Sequence, residues 1–217
     1  MSGSVCNSGS GSECTGCEDS FLDSIFSMFF EPECRDSFVS ADTCCGNFDN
    51  VKQFSSLIVG ALADFDAEKS FSVVQFATNA QLVSSLSSGV QTMSVINQLD
   101  YTGGLTNHQA AIQACQGSLQ SFDSRKNFIL LVTDGVPTVG SVAADVAAAE
   151  GAAEAAATSA KSAGTHIIPV FISPNGNDVS ALNYMRRLSS DGKVFDVFDF
   201  ASLNSLQDRL IDEVSCS

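Results

Sequence analysis

The residues with the most evident chemical potential are Thr133-Asp134-Gly135, which close the unbroken apolar run Phe128–Val132. That run is too short for an ordinary helix and is bounded by polar residues, so it reads as a strand buried on both faces of a parallel sheet. A carboxylate at the carboxyl end of such a strand stands where open α/β sheets keep their ligand sites. Asp-Gly is also ordinary turn chemistry, and the run alone leaves both readings open. Two further stretches carry small oxygen-bearing residues: Ser2-Gly3-Ser4, of ordinary linker composition, and the loop Gly103-Gly104-Leu105-Thr106-Asn107.

Cysteine is the other reactive type. Six of the eight cysteines fall at 6, 14, 17, 34, 44 and 45, a density that reads as disulfides in an oxidising compartment. Adjacent Cys44 and Cys45 take separate partners, because a vicinal bridge is strained. A zinc alternative rests on Cys14-x-x-Cys17 with Cys44-Cys45, without a second CxxC or a nearby His. Cys115 shares a helix face with Ile112 and Leu119 and reads as a buried thiol. The two histidines are isolated: His108 is a surface or helix-start residue or lines the rim of the 103–107 loop, and His166 begins a strand in a structural role. No Gly-x-Ser-x-Gly elbow, Walker loop or dinucleotide glycine fingerprint is present.

The elements that would position these residues are legible from Asn47 onward. Phe48, Val51, Phe54, Leu57, Ile58, Leu62 and Phe65 recur at helical spacing behind an Asn47 cap. Strands follow over 71–76 and 81–83, then a short helix over 89–99 and a helix over 107–119 ahead of the strand at 128–132. An Ala-rich helix covers 142–163, with Gly164 as its stop and a shallow, close contact with the sheet. Strand 167–172 carries Pro169, which suits a position near the sheet edge. Helix 179–188, strand 194–198 and helix 203–214 complete the order. The alternation predicts a three-layer α/β domain, a mostly parallel central sheet with helices on both faces. Residues 21–30 read as a short helix with one very apolar face, inside a Cys-rich segment needing disulfides or docking.

Composition bounds the function. A formal net charge of −15 argues against nucleic-acid partners and anionic membranes. No stretch is long and apolar enough to span a bilayer, and the amino terminus lacks the pattern of a signal peptide.

Taken in order, Ser2-Gly3-Ser4, Gly103 to Asn107 and Thr133-Asp134-Gly135, with the helix and strand pattern between them, resemble the von Willebrand factor type A domain. The likeness covers about residues 47–215. That family carries a metal-ion-dependent adhesion site of Asp-x-Ser-x-Ser, a later Thr and a later Asp. The resemblance implies Ser2, Ser4, Thr106 and Asp134 as ligands, the last directly or through water. Such an oxygen shell suits Mg²⁺, with Mn²⁺ or Ca²⁺ as substitutes. One open position would take a carboxylate from a protein or matrix partner. The motif's first Asp would stand just before Met1, and the first central strand would lie upstream, missing from this chain. On that reading residues 1–47 are a metal-loop remnant plus a Cys-rich insertion, and 48–217 are the type A domain. The Met1 α-amino group then replaces an anion with a cation, which weakens the site.

The function implied is a non-enzymatic, secreted or extracellular adhesion module within a longer chain. Two alternatives stand beside it: an intracellular type A scaffold in an ATPase-linked assembly, and a metal-dependent hydrolase using Asp134.

Overall fold

The structure, a computed structural model, describes residues 24–31, 41–102, 104–119, 126–138, 143–173 and 178–215. Its frame is a six-stranded sheet: β1 Ser24–Glu31, β2 Ser70–Phe76, β3 Ala80–Ser87, β4 Lys126–Thr133, β5 Thr165–Ile172 and β6 Phe195–Val197. The spatial order is β3-β2-β1-β4-β5-β6. All neighbours are parallel except β2 and β3, a hairpin pair at one edge. The helices are α1 Ala41–Phe65, α2 Gly89–Asn97, α3 His108–Leu119, α4 Ala143–Ser162, α5 Val179–Leu188 and α6 Gln207–Ser215, the last preceded by a 3-10 turn over Phe200–Leu206. The predicted α/β class and layering hold.

One expectation is overturned. The central strand is not missing: Ser24–Glu31, read from sequence as part of a helix, fills the slot between β2 and β4. It pairs with β2 from Ile25↔Ser70 and with β4 from Ser24↔Lys126 to Glu31↔Thr133. The physical reason is an ambiguity of short apolar runs. A strand buried on both faces shows no alternation, and only its neighbours distinguish it from a helix segment. The α/β body therefore reaches back to Ser24 rather than starting at Phe48. The first helix starts at Ala41, so Cys44 and Cys45 lie on its first turns.

The sheet separates two cores of different grain. On one face α1 presents Phe48, Val51, Phe54, Ile58 and Leu62, all buried, against Phe128, Leu130, Val132, Ile168 and Val170. Two residues of the predicted stripe fall outside this core. Leu57 is 37% exposed at the flank of the helix, and Phe65, its last residue, is 61% exposed. The opposite face is lined by α3, α4 and α5, where α4 contributes Ala153, Ala156, Ala157 and Ala160. Alanine brings the α4 backbone close while burying little area per residue, so the contact depends on the absence of side-chain bulk. Ala157→Leu is expected to cost about 1–3 kcal/mol through overpacking, read as a lower urea midpoint at unchanged slope.

Pro169 sits one strand in from the edge, in register with Leu131 of β4. The edge strand β6 pairs only with Val170–Ile172, so on that side β5 has no register partner at Pro169. A residue without an N–H is tolerated there.

Candidate functional site at the carboxyl edge of the sheet

The carboxyl ends of β1, β2 and β4 meet at one edge of the sheet, and three loops interlock over it. The 104–107 loop is tied to the segment after β2: Leu105 N–H donates to Thr78 Oγ1 (3.0 Å), and Asn107 Nδ2 donates to the Thr78 carbonyl (3.1 Å). It is tied to the segment after β4 by a reciprocal pair. Thr106 N–H donates to Thr138 Oγ1 at 2.8 Å, and Thr138 N–H donates to the Thr106 carbonyl at 3.2 Å. Gly104 makes the approach feasible. Its φ is +149°, and a Cβ there would lie 2.9 Å from Thr78 Oγ1. Asn107 then starts α3, its Oδ1 accepting from Ala110 N–H (3.0 Å) as a helix cap does.

Of the residues predicted for a metal site, Thr106 is fully buried at this clasp. Asp134 is half-buried in the bend immediately after β4. The structure thus brings these two loops to the same edge. Ser2 and Ser4 lie outside the described residues, as do the cysteines of the amino-terminal segment before Ser24 and Cys34. Among the described residues no cluster of three His, Cys, Asp or Glu side chains forms around Asp134. Thr106 and Asp134 thus offer a hydroxyl and a carboxylate, oxygen donors of the kind a hard cation takes. Glu31, the last residue of β1, is in register with Thr133 and so ends the central strand at the same edge.

Beneath the loops lies a buried polar relay. His108, the first residue of α3, is fully buried rather than at the surface. Its Nδ1 lies 2.9 Å from Tyr184 Oη on α5, and its Nε2 lies 3.1 Å from Thr133 Oγ1. Thr133 Oγ1 in turn donates to the Gly135 carbonyl at 3.3 Å. A neutral ring protonated at Nε2 satisfies every one of these contacts. Burial pushes the His108 pKa down to about 3, so the ring is uncharged at neutral pH. Tyr184 stacks on the imidazole, and Phe76 meets it edge-on. The relay fixes the end of β4, and with it the start of the Asp134 bend, to α3 and α5 on one face of the sheet.

Comparison with known proteins supplies the family. The family model for the von Willebrand factor type A domain matches residues 40–209. The chain belongs to that family. A search of curated proteins finds no significant match. Among solved structures the domain resembles proximal thread matrix protein 1 from the mussel byssus, with TM-score 0.72 and 16% identity, over 90% of this chain and 48% of that one. A second form of that protein has a zinc-occupied metal-ion-dependent adhesion motif; its TM-score is 0.70 at 16% identity, over 90% and 48% of the two chains. The PilB minor pilin of Streptococcus sanguinis matches with TM-score 0.70 and 14% identity, over 89% of this chain and 61% of that one. The chain thus spans about half the length of the byssus protein, and these likenesses establish the fold.

Proposed function

We propose that this type A domain is a non-enzymatic, divalent-cation-dependent protein-binding module working at a cell surface or outside the cell. Its ion is held at the carboxyl edge by Thr106 and Asp134, and a protein or matrix partner completes the shell with a carboxylate. The observation that carries this reading is the clasp between the Thr106 and Thr138 segments. It holds a hydroxyl-bearing loop and a carboxylate-bearing bend to one sheet edge. By family likeness Ser2 and Ser4 supply the remaining hydroxyl oxygens. Mg²⁺ suits such a shell, and Mn²⁺ and Ca²⁺ are the substitutes. The charge balance agrees: a chain of net charge −15 repels an acidic partner until a cation bridges the two. The likeness to byssus and pilus proteins supports an extracellular adhesive setting.

Calorimetric titration of the chelator-treated chain with Mg²⁺ and Mn²⁺ tests the assignment. Thr106→Ala and Asp134→Ala are each expected to weaken binding by about tenfold or more, since each removes an inner-shell or water-bridged oxygen. Affinities equal to that of the parent chain in both variants would overturn the site.

A further inference from the structure

The opposite pole of the domain carries a second cluster that the carboxyl-edge site does not use. His166 is the second residue of β5, at its amino-terminal end. Asp191 lies in the turn between α5 and β6, and Glu213 lies on α6. A ring nitrogen of His166 and one carboxylate oxygen from each acid lie within 4.8 Å of one another.

We infer that His166, Asp191 and Glu213 form a binding site for a transition-metal dication of the Zn²⁺ class, at present closed by the ammonium of Lys193. Three observations carry this. Lys193 Nζ bridges the two acids, at 3.2 Å from Asp191 Oδ2 and 2.9 Å from Glu213 Oε2, so the cluster already holds a cation at its centre of negative charge. His166 Nε2 is buried and makes no hydrogen bond within the described chain, which leaves a nitrogen donor that the ammonium does not satisfy. Asp191 is oriented for ligation: Ser189 Oγ donates to its Oδ1 at 2.8 Å, and Lys193 N–H donates to the same oxygen at 2.9 Å, leaving Oδ2 to the cation. That is the outer-shell support that metal-binding carboxylates carry.

One nitrogen and two carboxylate oxygens, with water as the fourth ligand, make a tetrahedral Zn²⁺ shell whose ligand atoms stand roughly 3.4 Å apart. Closing from the observed spacing takes rotation of the Asp191 side chain and of the largely buried Glu213. Lys193, 42% exposed, swings into solvent on its flexible stem. Burial holds the His166 imidazole below its ordinary range, against the pull of Asp191 and Glu213 and with that of Lys193 and Lys126. The ring is therefore neutral and able to ligate at pH 7. Mg²⁺ prefers six oxygens and does not suit this donor set.

The chain has only two histidines, so imidazole ¹⁵N resonances of the full, metal-free chain report the site directly. Added Zn²⁺ is expected to shift the ring nitrogens of His166 in a saturable way, whether or not those of His108 also respond to an ion at the carboxyl edge. Mg²⁺ should leave His166 unmoved. Asp191→Asn and Glu213→Gln should each weaken the Zn²⁺ response about tenfold or more, and Lys193→Met should strengthen it by a similar factor by removing the competing cation. A His166 resonance indifferent to millimolar Zn²⁺ would overturn the site. So would a response unchanged in both acid variants, or one confined to His108.

Discussion

Lowering the pH from 7 to 4 is expected to remove about 3 kcal/mol of folding stability through His108 alone, in chelated, metal-free buffer. The sign follows from where the proton binds. An unfolded His titrates near its ordinary value of about 6.5, whereas in the folded chain burial depresses the pKa to about 3. Between those values the unfolded chain carries a proton that the folded chain lacks, so acid favours unfolding. The contribution is fully present above the unfolded pKa and is lost as the pH falls towards 3. Hydrogen bonding does not oppose protonation, because the Tyr184 and Thr133 hydroxyls both accept as readily as they donate. The penalty comes from placing a charge among Phe76, Tyr184 and the apolar sheet. Carboxylates contribute their own acid dependence, so the measurement is a difference. Urea unfolding of the parent and of His108→Gln at both pH values should show the variant losing less by that amount. Parallel pH slopes in the two proteins would remove His108 as the cause.

Phe54→Ala should cost about 3–5 kcal/mol. Phe54 is completely buried on the sheet-facing stripe of α1, between Val51 and Ile58 and against the face of β4 that carries Phe128, Leu130 and Val132. That core is built from large side chains crossing between helix and sheet, and the rigid sheet cannot collapse to fill a phenyl-sized hole. The loss therefore includes both the transfer free energy of the ring and the cavity left behind. Denaturant midpoints at unchanged slope measure it, and a loss below about 1 kcal/mol would show that the α1 interface repacks freely.

Much of this architecture was legible in the sequence because local pattern and tertiary role agree. Helix α5 has the predicted bounds, Val179–Leu188, because Asp178 caps it and Leu188 ends its apolar stripe. Strand β4 is nearly as predicted because a short, unbroken apolar run bounded by polar residues has few alternatives. What escaped notice depends on partners distant in sequence. Ser24–Glu31 became a strand because β2 and β4 offer edges on both sides, information absent from residues 21–30 themselves. Strand β3 extends over eight residues rather than three because an edge strand with no fully buried residue tolerates the serines at 84, 85 and 87, whose polarity masked the pairing. His108 offered a single polar residue at a helix start. Its burial is set by Thr133, 25 residues away, and Tyr184, 76 residues away. At the carboxyl edge Thr106 and Asp134 were read as ligands through family likeness, because the local pattern alone does not separate a ligand from a turn residue.

The central position of β1 also shapes how the chain acquires its structure. Its two neighbours arrive at very different times during synthesis: β2 comes within about fifty residues, but β4 emerges only about a hundred residues later. Until then Ile25, Met28, Phe29 and Phe30 belong to a nascent chain with one half of its sheet unmade. Parallel pairing across such a gap carries a heavy loop-closure entropy before any contact rewards it. The pairing at the middle of the sheet thus spans the widest gap in sequence of any in it, while β5 and β6 add outside it from segments close to β4.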